Sequence, residues 1–304
     1  MWKVLLKISI SLVLIGVIFH EINFQVFAHY LLTIHVSWYL LAIALQIFSC
    51  CIAAYKWDVV MRSMHFNASF RFYLRTYFIG ALCNQVLPTS VGGDAVRIAY
   101  AKKLGSGLRQ AFNGVMVDRY YGTAGLVLIN LSLLNWLYHI VPRNIFVSII
   151  SILGIVLFAL FFGLITCKIH FLKNFKITQF IYDLSQAILI SARSPKRLIV
   201  LLLLAILSNL LCIGGIYCIA IALDLPISLM SLLGIMPAVT LITLLPLSFA
   251  GWGLREGAMV TFLLFLGVPK AGILSLSVLY GISLILASLP GLYCYLFDHK
   301  RKLI

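Results

Sequence analysis

Long apolar runs alternate with short polar segments along the chain, and most of these runs are long enough to cross a bilayer. A spanning helix needs about 20 apolar residues, because each residue rises about 1.5 Å through a hydrocarbon core of about 30 Å. No segment shows the alternating apolar and polar positions of a barrel strand. The pattern predicts an all-α polytopic membrane protein of about six full spans, which are Val4–Phe19, Ser37–Tyr55, Ala111–Tyr138, Asn144–Thr166, Leu198–Leu223 and Ala271–Phe297.

Two further apolar stretches are interrupted by helix-breaking residues. Leu87–Arg97 reads LPTSVGGDAVR and Leu245–Arg255 reads LPLSFAGWGLR. A leucine, a proline, a serine, a glycine and an arginine recur in both at a constant offset of 158 residues (245 − 87). Non-helical backbone at membrane depth is tolerated only where it is buried in protein or lines a wet cavity. We therefore expect a cavity at these two breaks.

The arms beside the two breaks indicate re-entrant hairpins. Thr76–Leu87 has 12 residues, about 18 Å as a helix, which is too short to cross. Basic clusters flank the first break on both sides, so residues 76–103 should enter and leave on the cytoplasmic side. The second hairpin, residues 229–266, should enter from the outer side. Its arms, Leu229–Leu245 and Trp252–Leu266, are longer, so it is expected to reach deeper.

The same offset relates the rest of the two halves. Moving Ala111–Tyr138 by 158 residues reaches the last apolar run, Ala271–Phe297. Each half, about residues 1–140 and 144–300, crosses an odd number of times, so the second copy should be inverted. We expect a single membrane domain over residues 1–304, built as an inverted repeat of two halves. Secondary transporters commonly use this plan, with broken helices that bind the substrate near the midplane.

Charge orients these elements in the membrane. Only 10% of the residues are charged, against about 25% in soluble domains, so the formal charge of +15 does not indicate a nucleic-acid partner. Lys and Arg cluster in Lys56–Arg75 and Cys167–Arg197, whereas His20–Val36 has none. The positive-inside rule predicts a multi-pass protein of the cytoplasmic (inner) membrane with both termini in the cytoplasm. Phe175–Ile190 is expected to be an amphipathic helix on the membrane surface.

Each hairpin tip places an arginine at a depth where charge is costly. An arginine at the bilayer centre costs about 2.5–3.5 kcal/mol on insertion scales, and the first turn of a helix disfavours a cation. A shared anion would explain both positions. Asp94 is expected at the N-cap of the helix after the first break. The predicted binding site for a lipid phosphate or head group consists of Arg97, Arg255, Ser90, Gly92, Gly93, Asp94, Ser248, Gly251, Gly253 and Glu256.

Internal ion pairs are the alternative explanation of these arginines. Asp118 and Arg119 are adjacent in an apolar run and are expected to form a supporting ion pair or to face the interior. The arginines of the two tips could then be balanced by the protein itself, with no ligand. The candidate pairs are Arg97 with Asp94 or Asp118, and Arg255 with Glu256, Asp94 or backbone carbonyls.

Catalytic and metal-binding motifs do not stand out in the sequence. There is no nucleotide loop, no H-E-x-x-H and no serine nucleophile motif. The histidines at 20, 29 and 35 lack the spacing of a helical metal-ligand pair. We predict no catalytic residue, no metal and no cofactor. The alternatives are a membrane-embedded lipid-modifying transferase that uses Asp94, Glu256 or Glu21 as its base, and a non-catalytic partner of such an enzyme.

Three motifs together resemble the family of the lysylphosphatidylglycerol synthase transmembrane region, over essentially the whole chain. They are N-x-x-L-P-x-x-x-G-G-D-x-x-R from Asn84 to Arg97, the pair Asp118-Arg119, and P-x-S-x-x-G-x-G-x-R-E-G from Pro246 to Gly257. In multidomain members, the resemblance implies that this region moves an aminoacylated phospholipid between leaflets, while a separate soluble domain makes the lipid. These 304 residues resemble a stand-alone member without the synthase domain, so a different cargo is expected.

The prediction is therefore a flippase or transporter that moves a lipid with an anionic head group, a phospholipid or a glycolipid, between leaflets. Asp94 and Glu256 would orient the arginines or meet a cationic part of the head group. The expected partners are membrane lipids, either anionic phospholipids or polyprenyl lipids and glycolipids. A lipid-modifying enzyme and a second copy of the chain are left open as protein partners, and no nucleic acid is expected.

Overall fold

The computed structural model describes residue 30 and residues 32–86, 92–165, 176–244 and 253–298. This part of the chain is almost entirely helical and contains no strand, which confirms the prediction of an all-α polytopic membrane protein. The predicted first span, Val4–Phe19, lies outside the described residues.

Eleven helices are described, and they are numbered here in chain order. They are α1 (Val36–Ser63), α2 (Phe70–Val86), α3 (Gly92–Lys103), α4 (Leu108–Ser132), α5 (Leu134–Ile140), α6 (Arg143–Ile165), α7 (Lys176–Ala192), α8 (Pro195–Ala222), α9 (Leu229–Thr243), α10 (Leu254–Leu263) and α11 (Lys270–Asp298). A 3₁₀ turn, Leu264–Leu266, follows α10.

Five segments of the described chain match the predicted spans. The helices α1, α6, α8 and α11 are each long and apolar enough to cross a membrane, and α4 with α5 supplies the fifth segment. The predicted span Ala111–Tyr138 is not one straight helix, because α4 and α5 meet at an angle of 56°. Leu133 separates them, and Leu137 of α5 packs into the space left by Gly234 of α9. A glycine on a neighbouring helix thus fixes the bend.

The helices α1 and α8 pack closely against each other in opposite directions. At one end, the His35 amide donates to the carbonyl oxygen of Ala222 (2.9 Å), and near the middle the Ser49 hydroxyl donates to that of Ser208 (2.8 Å). Small residues at such an interface let helix backbones approach closely. Ser49 and Ser208 are 159 residues apart, nearly the repeat offset, so the two halves meet at this point.

The other helices also correspond between the halves. At an offset of about 158 residues α1 matches α8, α2 matches α9, α3 matches α10, and α4 with α5 matches α11. The packing follows the same correspondence, because α2 contacts α11 as α9 contacts α4, and α3 contacts α4 as α10 contacts α11. An inverted repeat requires this arrangement. The predicted boundaries, residues 1–140 and 144–300, stay predictions.

The two hairpins start from opposite faces of the molecule. Gln110, at the start of α4, donates to the carbonyl oxygen of Met64 (2.6 Å), so the end of the α2–α3 hairpin lies beside its beginning. Gly272, at the start of α11, lies against Leu225, which precedes α9, so the α9–α10 hairpin likewise begins and ends on one face. The antiparallel course of α1 and α8 places these two faces at opposite ends of the helices.

The described arms do not test the prediction of a deeper second hairpin. The first hairpin has arms of 17 and 12 residues, and the second has arms of 15 and 10. The arm α2 is longer than predicted because it begins at Phe70, ahead of the apolar run, with Arg71 exposed beside it. The tips, residues 87–91 and 245–252, lie outside the described residues.

The predicted amphipathic segment forms α7, which covers one face of the bundle. Ile188 of α7 packs with Val60 of α1 and Val117 of α4. The Ser191 and Tyr121 hydroxyls are 2.9 Å apart, and this contact ties α7 to α4. The helix therefore packs on the bundle through one side and leaves apolar side chains such as Phe180 exposed on the other.

Candidate functional site

Lys56 lies inside α1 and is buried, so the prediction that it marks the cytoplasmic end of this span is wrong. The helix continues to Ser63, and Lys56 is only 4% exposed. Its Nζ atom lies 3.2 Å from Oδ1 of Asp118 and donates to the Asp118 carbonyl oxygen at 3.1 Å. A buried ammonium group is tolerated when a carboxylate pairs with it, and Asp118 is that partner.

Arg97 connects this pair to a second one. Its Nη2 atom donates to Oδ2 of Asp118 (2.8 Å), and its Nη1 atom lies 3.5 Å from Oδ1 of Asp94. Asp94 also binds Arg119. The result is a linked chain of alternating charge, Lys56–Asp118–Arg97–Asp94–Arg119, which we call the first cluster. It joins α1, α3 and α4.

Two aromatic rings enclose the Arg97 guanidinium. Its Cζ atom lies 4.3 Å from the ring centre of Trp57 and 4.7 Å from that of Tyr77. A cation over an aromatic face is worth about 2 kcal/mol or more when both groups are desolvated. The Nε atom of Arg97 is buried and has no hydrogen-bond partner in the described part of the chain. The rings fix the guanidinium plane while one of its donors remains unused.

Gly93 is explained by helix packing. A Cβ atom built on Gly93 of α3 would overlap the carbonyl group of Gly80 in α2, so the two arms cross at these glycines. The Gly93 amide donates to Oδ1 of Asn84 (2.7 Å) and is not open to a head group. Asp94 lies within the first turn of α3 and not at the predicted N-cap. Its carboxylate pairs with Arg97 and Arg119 instead.

Arg255 is paired more locally in the second hairpin. Its Nη2 atom donates to Oε1 of Glu256 (2.7 Å), and its Nε atom donates to the Ser277 hydroxyl (3.0 Å). The other carboxylate oxygen of Glu256 accepts from the Gly253 amide (2.5 Å), at a residue with a φ of 83° that favours glycine. The ring centre of Tyr280 lies 5.5 Å from the guanidinium. We call these residues the second cluster.

Two adjoining cavities lie between the hairpins. The first has a volume of about 510 Å³ and is lined by all five charged residues of the first cluster. The second has a volume of about 270 Å³ and is lined by Arg255 and Tyr280. Five described residues line both cavities: Asn84, Gln85, Arg119, Thr240 and Leu244. Arg97 and Arg255 therefore face one divided space.

The structure brings part of the predicted site to these cavities. Arg97, Asp94 and Arg255 line them, while Glu256 and Gly253 support Arg255 from behind. Gly92 and Gly93 are buried at the start of α3. Ser90, Ser248 and Gly251 lie outside the described residues.

Of the two arrangements predicted for Asp118 and Arg119, the structure shows side chains that face the interior and no ion pair between the two. These neighbours turn to different partners, because Asp118 binds Arg97 and Lys56, whereas Arg119 binds Asp94. Lys56 was missed because it precedes Arg62 and resembles the start of a basic flank. The apolar residues that follow it in α1 were the available signal for a continuing helix.

Comparison with protein families matches residues 4–291 to the family described as Lysylphosphatidylglycerol synthase TM region. The chain belongs to this family. The match covers nearly the whole chain and includes both hairpins and both clusters, so the family assignment applies to the part that holds the cavities. A protein of this family is a membrane protein of lipid metabolism or transport. No curated protein matches the chain.

Proposed function

We propose that the protein moves a lipid with an anionic head group between the two leaflets, and that the phosphate binds in the first cavity. The carrying observation is the charge of the first cluster, in which three cationic residues face two carboxylates around one cavity. An excess charge is costly in a low-dielectric interior. A phosphate with one negative charge would balance it.

The placement of the hairpins supports transport of the lipid. They start from opposite faces, and the cavities lie where they approach each other. A site between two inverted halves can open to one face and then to the other when the halves rock. The acyl chains of a phospholipid or polyprenyl lipid would stay in the bilayer while the head group crosses through the cavities.

A membrane-embedded transferase is less well supported by the same contacts. A general base must be within reach of the proton that it removes. Asp94 and Glu256, two of the candidate bases, are each held by arginine side chains. The third candidate, Glu21, lies outside the described residues. The described carboxylates are therefore placed to position arginines.

Reconstitution into liposomes tests the proposal. A fluorescent phospholipid is incorporated in both leaflets, and a membrane-impermeant reductant reports how much of it reaches the outer leaflet. We expect the wild type to expose nearly all of the label and Arg97→Ala to expose only the outer half. The matched control is Arg62→Ala on α1, whose side chain is 50% exposed and binds Asp58 away from the cavities.

Two outcomes would contradict transport. The first is an Arg97→Ala protein that folds and translocates lipid at the wild-type rate. The second is formation of a modified lipid without translocation, which would favour the transferase. Because Arg97→Ala removes a buried cation, folding is checked by the elution volume in detergent and by helical circular dichroism.

A further inference from the structure

The described carboxylates at and directly behind the cavities are all bound by cationic side chains. Asp94, Asp118 and Glu256 are each no more than 3% exposed. The pairs are Asp94 with Arg97 and Arg119, Asp118 with Arg97 and Lys56, and Glu256 with Arg255. Four cationic residues thus face three carboxylates across the two clusters. An ammonium group that entered this space would have to displace a residue of the protein to find an anion.

The other acidic side chains that the structure describes do not change this balance, and those of Glu21 and Asp298 are not among them. Asp58, Asp183 and Asp224 bind Arg62, Arg109 and His35, and none of the three lines either cavity. The two hairpin tips, residues 87–91 and 245–252, read LPTSV and LPLSFAGW and contain no acidic residue. Whatever their position, the tips supply no carboxylate to an ammonium group.

The uncharged part of the lining suits hydroxyl groups. Amide and hydroxyl side chains can both donate and accept hydrogen bonds, as the hydroxyls of glycerol and sugars also do. Gln85 lines both cavities, and its side chain makes no hydrogen bond with the described residues. Asn209 donates to the carbonyl oxygen of Gly122 (3.0 Å) and keeps its own side-chain oxygen as an acceptor in the first cavity.

We infer that the site selects anionic lipids whose head group beyond the phosphate is uncharged and hydroxylated, and that it rejects head groups carrying an ammonium group. The phosphate neutralises the excess positive charge of the first cluster, and the hydroxyls bind the neutral amide and hydroxyl lining. An ammonium group would instead be buried beside cations, a cost that only a free carboxylate could offset. This inference rests on the proposed function, because it names the class of lipid that the proposed site transports.

Transport of three acyl-labelled lipids tests this selectivity in liposomes. Phosphatidylglycerol carries an uncharged glycerol, phosphatidylethanolamine carries an ammonium group, and an aminoacylated phosphatidylglycerol adds ammonium groups to the same glycerol. We expect phosphatidylglycerol to cross faster than each of the other two lipids by about tenfold or more. A tenfold ratio corresponds to a modest difference in binding free energy between the lipids.

A single isosteric substitution should reverse the preference. Gln85→Glu introduces a carboxylate into the lining of both cavities, balances the excess charge and offers a partner to an ammonium group. The rate for phosphatidylethanolamine should rise and that for phosphatidylglycerol should fall. Gln186→Glu, the same change on α7 away from both cavities, should leave both rates unchanged.

The outcomes separate this inference from the proposed function. Equal rates for phosphatidylglycerol and phosphatidylethanolamine, or a folded Gln85→Glu protein with the wild-type ratio, would overturn the selectivity and leave transport standing. If no lipid crosses, the proposed transport is wrong, and the selectivity is tested by lipid binding instead. Dihexanoylphosphatidylglycerol should then raise the unfolding temperature of the protein more than dihexanoylphosphatidylethanolamine does. Equal shifts would overturn the inference as well.

Discussion

The two hairpins have matching sequence motifs but surround their arginines differently. Arg97 belongs to a cluster of five charges spread over three helices, whereas Arg255 closes on the adjacent Glu256 and a serine hydroxyl. Ser277 lies 158 residues after Arg119 (277 − 119), and Gly214 lies 158 residues after Lys56 (214 − 56). The second half thus has small or neutral residues where the first has cations.

The arginine motif therefore has a different role in each hairpin. The second cluster balances its own charge, so it needs no ligand to be stable. The first cluster keeps an excess of one positive charge and an unused arginine donor in the described structure. An inverted repeat that has diverged in this way can hold an anion in one half while the other half supplies packing and neutral contacts.

The largest expected effect is in cysteine labelling, which shows the side of the membrane on which each residue lies. In a background without native cysteines, a membrane-impermeant maleimide should label His65→Cys and Lys102→Cys from one side, because both lie beside the ends of the first hairpin. Pro226→Cys, exposed before the second hairpin, should be labelled only from the other side. Labelling of His65→Cys and Lys102→Cys from opposite sides would rule out a re-entrant first hairpin.

Asp118→Ala should cost the most stability. It leaves Lys56 and Arg97 buried with too few anions, and removing one partner of a buried pair costs about 3–5 kcal/mol. The free energy of unfolding in detergent measures this. Asp183→Ala breaks a pair with Arg109, whose side chain is 65% exposed, and should cost about 1 kcal/mol or less. Similar costs at the two positions would show that the first cluster is hydrated.

Gly93→Ala should destabilise the first hairpin by an intermediate amount. The added methyl group would overlap the Gly80 carbonyl, and such overpacking costs about 1–3 kcal/mol. Gly257→Ala, in α10 of the second hairpin, adds a methyl group with nothing within 4 Å and should change stability by about 0.5 kcal/mol or less. Chemical unfolding of the two variants compares them directly. Equal losses would mean that the arms do not cross at Gly93.

Tyr280→Phe should have the smallest effect. The ring beside Arg255 is kept, and only the hydroxyl contact with Cys212 Sγ (3.2 Å) is lost, which costs about 0.5–1.5 kcal/mol. Lipid translocation should stay near the wild-type rate, measured in the same liposomes. A large loss of transport without a loss of stability would show that the second cluster contacts the lipid through this hydroxyl.

Sequence patterns predicted the five described spans well because each depends on one continuous apolar run. The constant offset between the tips likewise indicated how the halves are related. The bend at Leu133 was not predictable, since Gly234, which makes room for it, is about 100 residues further along the chain. Lys56 was misplaced for a similar reason, because its partner Asp118 is 62 residues away and only packing brings the two together. Among the charge pairs between helices, Arg97 with Asp118 was a candidate from the sequence, whereas the pairs of Lys56 with Asp118 and of Arg119 with Asp94 were not.

If the two halves rock as the proposed transport requires, the hydrogen bond between Ser49 and Ser208 lies at the pivot of that motion. A rocking of one half about this point leaves the two serines nearly stationary. At about 1.5 Å per residue, the first residue of α1 lies about 20 Å away, and a rotation of about 10° would move it by roughly 3.5 Å. A pair of spin labels near the serines would therefore show a constant distance and serve as the internal control. Pairs at the helix ends would show the change in distance.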